Sequence, residues 1–256
     1  MKVLYEEVST ATPTAPQGTM QWKAERRQRL TSSNFGRVCK MRARTKPANT
    51  VKSLLYSTFN GNSATQYGLD SEKETEAKYS EHIKGLGVSE IDISHPGLTI
   101  IPEAPELAAS PDGLVCVDPG TSGLPREYIV EYKNLKSLID KKLSVDEAIT
   151  NVPGFALELS PNGYSLKRNH DFYYQIQGAM KATNVIFCHL VLCSYNSMAV
   201  VDIHFDAQFW ASMNPKLRKF YMCALLPELA HPLYQFNGLL RPDFYDYNFH
   251  LFINEP

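Results

Sequence analysis

Ser110-Pro111-Asp112-Gly113-Leu114, followed after a hairpin-like gap by Val130-Glu131-Tyr132-Lys133, is the most informative part of this sequence. Alternate side chains of an extended strand share a face, so Glu131 and Lys133 should point to one side and Tyr132 to the other. A neighbouring strand is enough to bring Asp112 beside them. The stretch therefore predicts a strand pair that gathers two carboxylates and an ammonium in one place.

Such a cluster suits the hydrolysis of a phosphodiester. Carboxylate oxygens are hard ligands that hold Mg²⁺ or Mn²⁺, and an ammonium beside them can steady or deprotonate an attacking water. Lys133 accepts a proton near neutral pH only if its pKa is depressed or a metal ion lies beside it. The sequence has neither a G-x-x-x-x-G-K-S/T nor a G-x-G-x-x-G motif, so ATP-driven and nicotinamide chemistry lack support.

The composition is that of an ordinary globular protein, because 43% of the 256 residues are hydrophobic and 21% are charged. The five cysteines are odd in number and form no C-x-x-C pair, which favours a reducing, intracellular location in nucleus or cytoplasm. The N-terminus lacks the cationic start and apolar stretch of a signal peptide, and no apolar run reaches the length of a membrane span. We therefore expect a protein that is not secreted and that needs no membrane.

Charge is distributed unevenly along the chain. The net charge is −1, yet residues 21–52 contain ten basic residues against one acid, a net charge of +9. A basic element beside an acidic metal-binding body is what an enzyme acting on a polyanion needs. The alternative interpretation of this run is a solvated helical face.

Local patterns predict an α+β fold. Helix formers and candidate N-caps predict helices up to about residue 83, and short apolar runs with period two predict strands from residue 88 onward. Further along, we predict a helix at 169–183, a strand pair at 185–195 and 198–205, and a final helix capped by Asp206. Helices flanking a mixed central β-sheet are the simplest architecture.

This pattern predicts a simple domain organisation. Residues 1–19, rich in threonine and proline, read as a flexible leader. Residues 20–226 form one domain, and residues 227–256 form an aromatic C-terminal extension packed on it.

Four groups of residues occur in order along residues 22–195. They are Arg26 with Thr31-Ser32-Ser33, Tyr67-Gly68 with Glu72 and Tyr79, Ala109-Ser110-Pro111-Asp112-Gly113-Leu114 with Glu131-Tyr132-Lys133, and Phe172-Tyr173-Tyr174-Gln175-Ile176-Gln177. In this order they resemble the motifs of the lambda-exonuclease-like family, also called YqaJ-type viral recombinases, within the PD-(D/E)xK nuclease superfamily. Phe172 departs from the family, which has a tyrosine there.

The resemblance implies a restriction-endonuclease-like core with one or two Mg²⁺ (or Mn²⁺) ions in each active site. By this likeness Asp112, Glu131 and the backbone carbonyl of Tyr132 bind the metal, and Glu72 contributes directly or through water. Lys133 acts as general base or charge stabiliser. Glu74 and Glu76 are alternatives to Glu72, since all three lie in the same acidic helix.

The resemblance also implies a second site, which grasps the 5′-phosphate of a DNA end. It maps onto Arg26, Ser33, Ser110 and Gln175. A guanidinium can donate two parallel hydrogen bonds to a phosphate, and hydroxyls at a helix N-terminus supply further donors. Arg27 and Arg29 are alternatives to Arg26, and Gln177 is an alternative to Gln175.

The activity implied is that of a Mg²⁺-dependent 5′-to-3′ exonuclease on the ends of double-stranded DNA, with a role in DNA recombination or repair. The family likeness further suggests a single-strand-annealing partner protein and a homotrimer. Two alternatives use the same residues: a structure-specific or restriction-like endonuclease, and a non-catalytic DNA-binding module with the same fold.

Overall fold

The computed structural model describes residues 1–12, 15–42, 44–57, 63–161, 163–239 and 243. These residues cluster into two compact units, each discontinuous in sequence. The first comprises the described parts of Met1–Thr58, Gly97–Ser110 and Asp206–Pro256, and the second those of Phe59–Pro96 and Pro111–Phe205. Residues 20–226, which we predicted as one domain, therefore contribute to both units.

The helices of the described residues are α1 (Lys2–Thr10), α2 (Met20–Arg27), α3 (Phe35–Cys39), α4 (Ala48–Leu55), α5 (Ser63–Gly85), α6 (Lys136–Asp140), α7 (Val145–Asn151), α8 (Asp171–Thr183), α9 (Ala207–Phe220), α10 (Leu226–Ala230) and α11 (Leu233–Asn237). The strands are β1 (Leu30–Thr31), β2 (Glu90–Ser94), β3 (Thr99–Ile101), β4 (Ala104–Ala109), β5 (Gly113–Asp118), β6 (Glu127–Asn134), β7 (Leu157–Ser160), β8 (Gly163–Leu166), β9 (Phe187–Cys193) and β10 (Met198–His204).

The second unit is built on a mixed five-stranded sheet in the order β10-β9-β6-β5-β2. The central pair β6 and β9 runs parallel, and the other neighbours run antiparallel. Helix α5 packs on one face, where Tyr79 and Ile83 join a buried apolar cluster with Val130, Tyr132 and Val191. Helix α8 contacts β6 and β9. The predicted α+β fold, with a mixed sheet flanked by helices, is thereby confirmed.

The first unit contains a three-stranded sheet in the order β1-β4-β3, with β1 parallel and β3 antiparallel to β4. Glu106 on β4 is fully buried, and its Oε1 accepts a hydrogen bond of 2.7 Å from Arg218 Nε on α9. Tyr5 of α1 donates to the other carboxylate oxygen at 3.2 Å. These polar contacts tie α1 and α9 to the sheet.

Two segments differ from the prediction. Residues 2–10 of the predicted flexible leader form helix α1, and Val8 of this helix is buried. The final helix begins at Ala207 with Asp206 as its N-cap, as predicted, but it passes into a π-helical turn at Tyr221–Leu225. Most of the predicted C-terminal extension, residues 240–242 and 244–256, lies outside the described residues.

Within the part of the chain that the structure describes, no helix combines the length and the apolar character needed to cross a bilayer.

Candidate active site

The backbone of β5 and β6 sets Asp112 beside Glu131. Asp112 directly precedes β5, and its Oδ2 accepts a hydrogen bond of 2.7 Å from the backbone N–H of Tyr132. A Cβ on Gly113 would lie 2.8 Å from side-chain atoms of both Ile93 and Val130. Because real contacts of this kind are longer, only glycine lets the three strands approach so closely here. The Asp-Gly pair therefore fixes the carboxylate against the neighbouring strand.

Glu131 and Lys133 point to the same face of β6, as the alternation predicted. Lys133 Nζ donates to Glu131 Oε1 at 2.7 Å, and Gln175 on α8 donates to the same oxygen. The Glu131 side chain is only 2% exposed, and its Oε2 has no hydrogen-bond partner among the described residues. The Lys133 ammonium also lies 5.1 Å from the centre of the Phe172 ring. A buried carboxylate thus keeps one oxygen available for a ligand.

Tyr132 points to the opposite face, also as predicted. Its ring meets the ring of Tyr79 edge to face, with centroids 6.0 Å apart, inside the apolar cluster under α5. The strand is thereby anchored by Tyr132 while Glu131 and Lys133 remain available to the site.

Of the three acids proposed on α5, Glu72 interacts electrostatically with Asp112, Lys133 and Glu131. It is half-buried, and its pKa is raised to about 7, first by burial and then by the charge of Asp112. Glu74 is exposed and pairs with Lys78 at 2.7 Å. Glu76 lies 3.4 Å from His95 Nε2. The geometry favours Glu72 over the alternatives.

Burial dominates the electrostatics of the site. It raises the pKa of Asp112, an effect that Lys133 and the Tyr132 N–H only partly offset. Burial and the charge of Asp112 also raise the pKa of Glu131 to about 7. Burial lowers the pKa of Lys133, but Glu131 and Asp112 outweigh it and raise the pKa above its usual value. The site therefore holds carboxylates that repel one another in a space with little water.

This donor set fits a hard divalent cation. The orphaned Oε2 of Glu131 and the mutual repulsion of the carboxylates are both relieved by a bound cation. Within the described residues no group of three or more His, Cys, Asp or Glu side chains is arranged closely enough to hold a metal ion unaided. Mg²⁺ suits such a site because it commonly takes one or two carboxylates and keeps several waters.

In the first unit, the structure brings Arg26 and Ser110 together. Arg26 Nη1 donates to Ser110 Oγ at 3.3 Å, and its Nη2 donates to Thr31 Oγ1 at 3.4 Å. Ser33 is exposed, with its hydroxyl 3.3 Å from that of Thr31. These groups form a short chain of donors beside a guanidinium, which is suited to an anion.

The alternatives to Arg26 have other surroundings. Arg29 is buried and donates to the backbone carbonyls of Val8, Ala11 and Pro105. Arg27 is exposed. Arg29 therefore holds the fold together, and Arg26 remains the candidate for the phosphate.

Gln175 belongs to the second unit, where its amide reaches Glu131 as described above. The alternative, Gln177, is fully buried and donates to the His204 carbonyl at 3.0 Å. Gln177 therefore fixes α8 to the sheet, and Gln175 is the glutamine directed to the carboxylates.

Two site residues were missed by the motifs. Trp22 donates its indole N–H to Ser110 Oγ at 3.2 Å, and the Arg26 guanidinium lies 4.3 Å from the centre of its ring. His95 Nδ1 donates to the Asp112 carbonyl at 2.8 Å. The i, i+4 spacing of Trp22 and Arg26 on one helix face could have indicated the first pair. No local signal links His95 to Asp112, because 17 residues separate them.

The chain is similar in sequence to one protein family and in fold to solved structures. The sequence model of the YqaJ-like viral recombinase domain matches residues 21–185. A crystal structure of LHK-Exo in complex with dAMP is similar at a TM-score of 0.57 and 21% identity, over 86% of this chain and 98% of that chain. A crystal structure of the alkaline exonuclease LHK-Exo from Laribacter hongkongensis is similar at a TM-score of 0.55 and 22% sequence identity. The match covers 86% of this chain and 97% of that chain. No curated protein sequence gives a significant match. At these identities the solved structures establish a shared fold.

Proposed function

The chain belongs to the YqaJ-like viral recombinase domain family, and we propose that it is a metal-dependent DNA exonuclease. It would hydrolyse phosphodiester bonds at the ends of double-stranded DNA, from 5′ to 3′, in recombination or repair. The observation that carries the proposal is the buried Glu131 carboxylate. One of its oxygens is held by Lys133 and Gln175, and the other has no partner among the described residues.

Asp112, Glu131 and the Tyr132 carbonyl would hold one or two Mg²⁺ or Mn²⁺ ions, with Glu72 contributing directly or through water. When bound, the metal supplies a Lewis acid that lowers the pKa of water and neutralises charge on the phosphate. The hydrogen bond from the Tyr132 N–H keeps one oxygen of Asp112 occupied, which orients the other oxygen. The backbone of β6 therefore sets the direction of the Asp112 carboxylate.

Lys133 would stabilise negative charge on the reacting phosphate. Its ammonium is held at 2.7 Å by Glu131, so it is placed as a donor before substrate arrives. Such preorganised donors act strongly where little water competes. Lys133 would accept a proton from water, its other role, only after losing its own proton. Because Glu131 and Asp112 raise the pKa of Lys133 in the metal-free protein, this role would require a metal ion beside the amine.

Direction of digestion would come from the second set of residues. By the family likeness, the residues that would bind the 5′-phosphate exposed by each cleavage are Arg26, Ser33, Ser110 and Gln175. Trp22 supports this set because it contacts both Arg26 and Ser110. A 5′-phosphorylated end is then preferred over a 5′-hydroxyl end. Assembly into a trimer and pairing with an annealing protein remain proposals that rest on the family alone.

The test compares linear and covalently closed circular duplex DNA, with and without Mg²⁺. The linear substrate carries a 3′ label on one strand and a phosphate at the 5′ ends. We expect Mg²⁺-dependent shortening of the linear duplex from its 5′ ends, and an intact circle. Cleavage of the circle would assign the endonuclease, and binding without cleavage in any divalent metal would assign the DNA-binding module. An Asp112→Asn variant is the matched control for contaminating nuclease.

A further inference from the structure

Asn134 makes two hydrogen bonds from the end of β6 to helix α5. Its Oδ1 accepts from the hydroxyl of Thr75 at 2.7 Å, and its Nδ2 donates to the backbone carbonyl of Gly68 at 3.3 Å. Asn134 directly follows Lys133, and its register partner on β9 is Cys193. One amide side chain therefore joins the strand end that carries Glu131 and Lys133 to two points of a helix.

These two contacts flank Glu72 along helix α5. Gly68 lies four residues before Glu72 and Thr75 three residues after it, so all three share one face of α5. In an α-helix the carbonyl of residue 68 is the acceptor for the backbone N–H of residue 72. Asn134 therefore contacts the same carbonyl that receives the Glu72 N–H. Its other partner, Thr75, is only 3% exposed.

The apolar core anchors a different part of α5. Among the α5 side chains that the structure describes, those of Tyr79 and Ile83 join the buried cluster on the sheet, and both are C-terminal to Glu72. Glu72 lies about two turns before Tyr79, the nearer of these two residues. Directional hydrogen bonds fix such a turn against the sheet more narrowly than burial of apolar area does, because the hydrophobic effect has no preferred direction.

We propose that Asn134 is a positioning residue that holds the Glu72 turn of α5 in register with Glu131 and Lys133. This inference rests on the proposed nuclease function, in which Glu72 contributes to the metal site. Asn134 acts through Glu72 and does not touch the reacting atoms. Thr75 contributes to the same positioning through its hydrogen bond to Asn134.

The experiment measures Mn²⁺ affinity by electron paramagnetic resonance without DNA, and the cleavage rate of linear duplex under single-turnover conditions. Asn134→Ala removes both hydrogen bonds, Thr75→Val removes only the one between Thr75 and Asn134, and Thr75→Ser keeps the hydroxyl. Ile83→Val is the matched control, because it loosens the packing of the same helix 11 residues from Glu72. Thermal unfolding of each variant shows how far its fold is destabilised.

We expect Asn134→Ala and Thr75→Val to weaken Mn²⁺ binding and slow cleavage by about 10-fold, the lower end of the range for residues that orient metal ligands. Thr75→Ser and Ile83→Val should stay within twofold of the wild type. In a Glu72→Gln background, Asn134→Ala should change Mn²⁺ affinity by less than twofold. An undiminished loss in that background, or an equal loss in Ile83→Val, would overturn the inference. A wild-type protein that cleaves no DNA with any divalent metal would instead overturn the proposed function.

Discussion

The buried carboxylates predict that the metal-free protein loses stability as the pH rises. Burial and the charge of Asp112 raise the pKa of Glu131 from its ordinary value of 4.5 to about 7 in the folded state. A carboxyl with a raised folded-state pKa contributes stability that is complete below 4.5 and lost as the pH rises through 7. The shifts of Asp112 and Glu72 have the same sign. The stability is therefore lost between about pH 4.5 and 7, and a comparison of pH 5.5 with pH 8.5 captures most of that loss.

The size of the effect follows from the Glu131 shift alone. With folded and unfolded pKa values of about 7 and 4.5, one carboxyl contributes roughly 2 kcal/mol at pH 5.5 and almost nothing at pH 8.5. For a chain of this size, 1 kcal/mol moves the melting temperature by roughly 2–4 °C. We therefore expect the metal-free protein to melt roughly 4–8 °C lower at pH 8.5 than at pH 5.5.

The assay is thermal unfolding followed by circular dichroism in EDTA and in Mg²⁺ at both pH values. Mg²⁺ binds the deprotonated carboxylates, so it should raise the melting temperature more at pH 8.5 than at pH 5.5. Glu131→Gln, which does not titrate, should flatten the pH dependence in EDTA. A melting temperature that rises from pH 5.5 to 8.5 in EDTA, or a pH dependence that Glu131→Gln leaves unchanged, would show that the buried Glu131 carboxyl does not set the pH dependence of stability.

Three further predictions concern single side chains. Asp112→Asn keeps an oxygen that can accept the Tyr132 N–H, so it should fold normally yet lower the cleavage rate at least about 100-fold, or about 2.7 kcal/mol; near-normal cleavage by this variant contradicts the metal assignment. We expect the wild type to degrade 5′-phosphorylated ends roughly 10- to 100-fold faster than 5′-hydroxyl ends, measured as a ratio of initial rates. Arg26→Ala should bring this ratio near unity, and an unchanged ratio would remove Arg26 from the phosphate site. Arg218→Met leaves the buried Glu106 without its cation, so it should lower the free energy of unfolding in urea by roughly 3–5 kcal/mol. A Glu106→Gln/Arg218→Met double variant should recover part of this loss. A loss below roughly 1 kcal/mol would show that the pair contributes little to stability.

The sequence was informative where local rules act alone. The alternation of Glu131, Tyr132 and Lys133 was read correctly because a strand has a period of two. The N-cap at Asp206 was also correct, since its side chain accepts from the Phe209 N–H three residues later. These features depend on neighbours in the chain.

Features that depend on distant partners were missed. Strand β4, Ala-Pro-Glu-Leu-Ala-Ala, has no β-branched residue, and it pairs with β1 and β3 while Arg218 neutralises its buried Glu106 from 112 residues away. Trp22 was likewise not assigned to the site, because its partner Ser110 is 88 residues away. Motif order from the family likeness supplied the candidate carboxylates, but the supporting contacts of His95 and Asn134 required coordinates.

In the proposed function Asp112 and Glu131 share a divalent cation. The most direct measurement is anomalous diffraction from crystals of this protein grown with Mn²⁺, recorded near the manganese absorption edge. We expect a manganese peak within about 2.5 Å of oxygens from Asp112, from Glu131 and from the Tyr132 carbonyl. A fully loaded crystal with its Mn²⁺ bound elsewhere, and none against Glu131 Oε2, would contradict it.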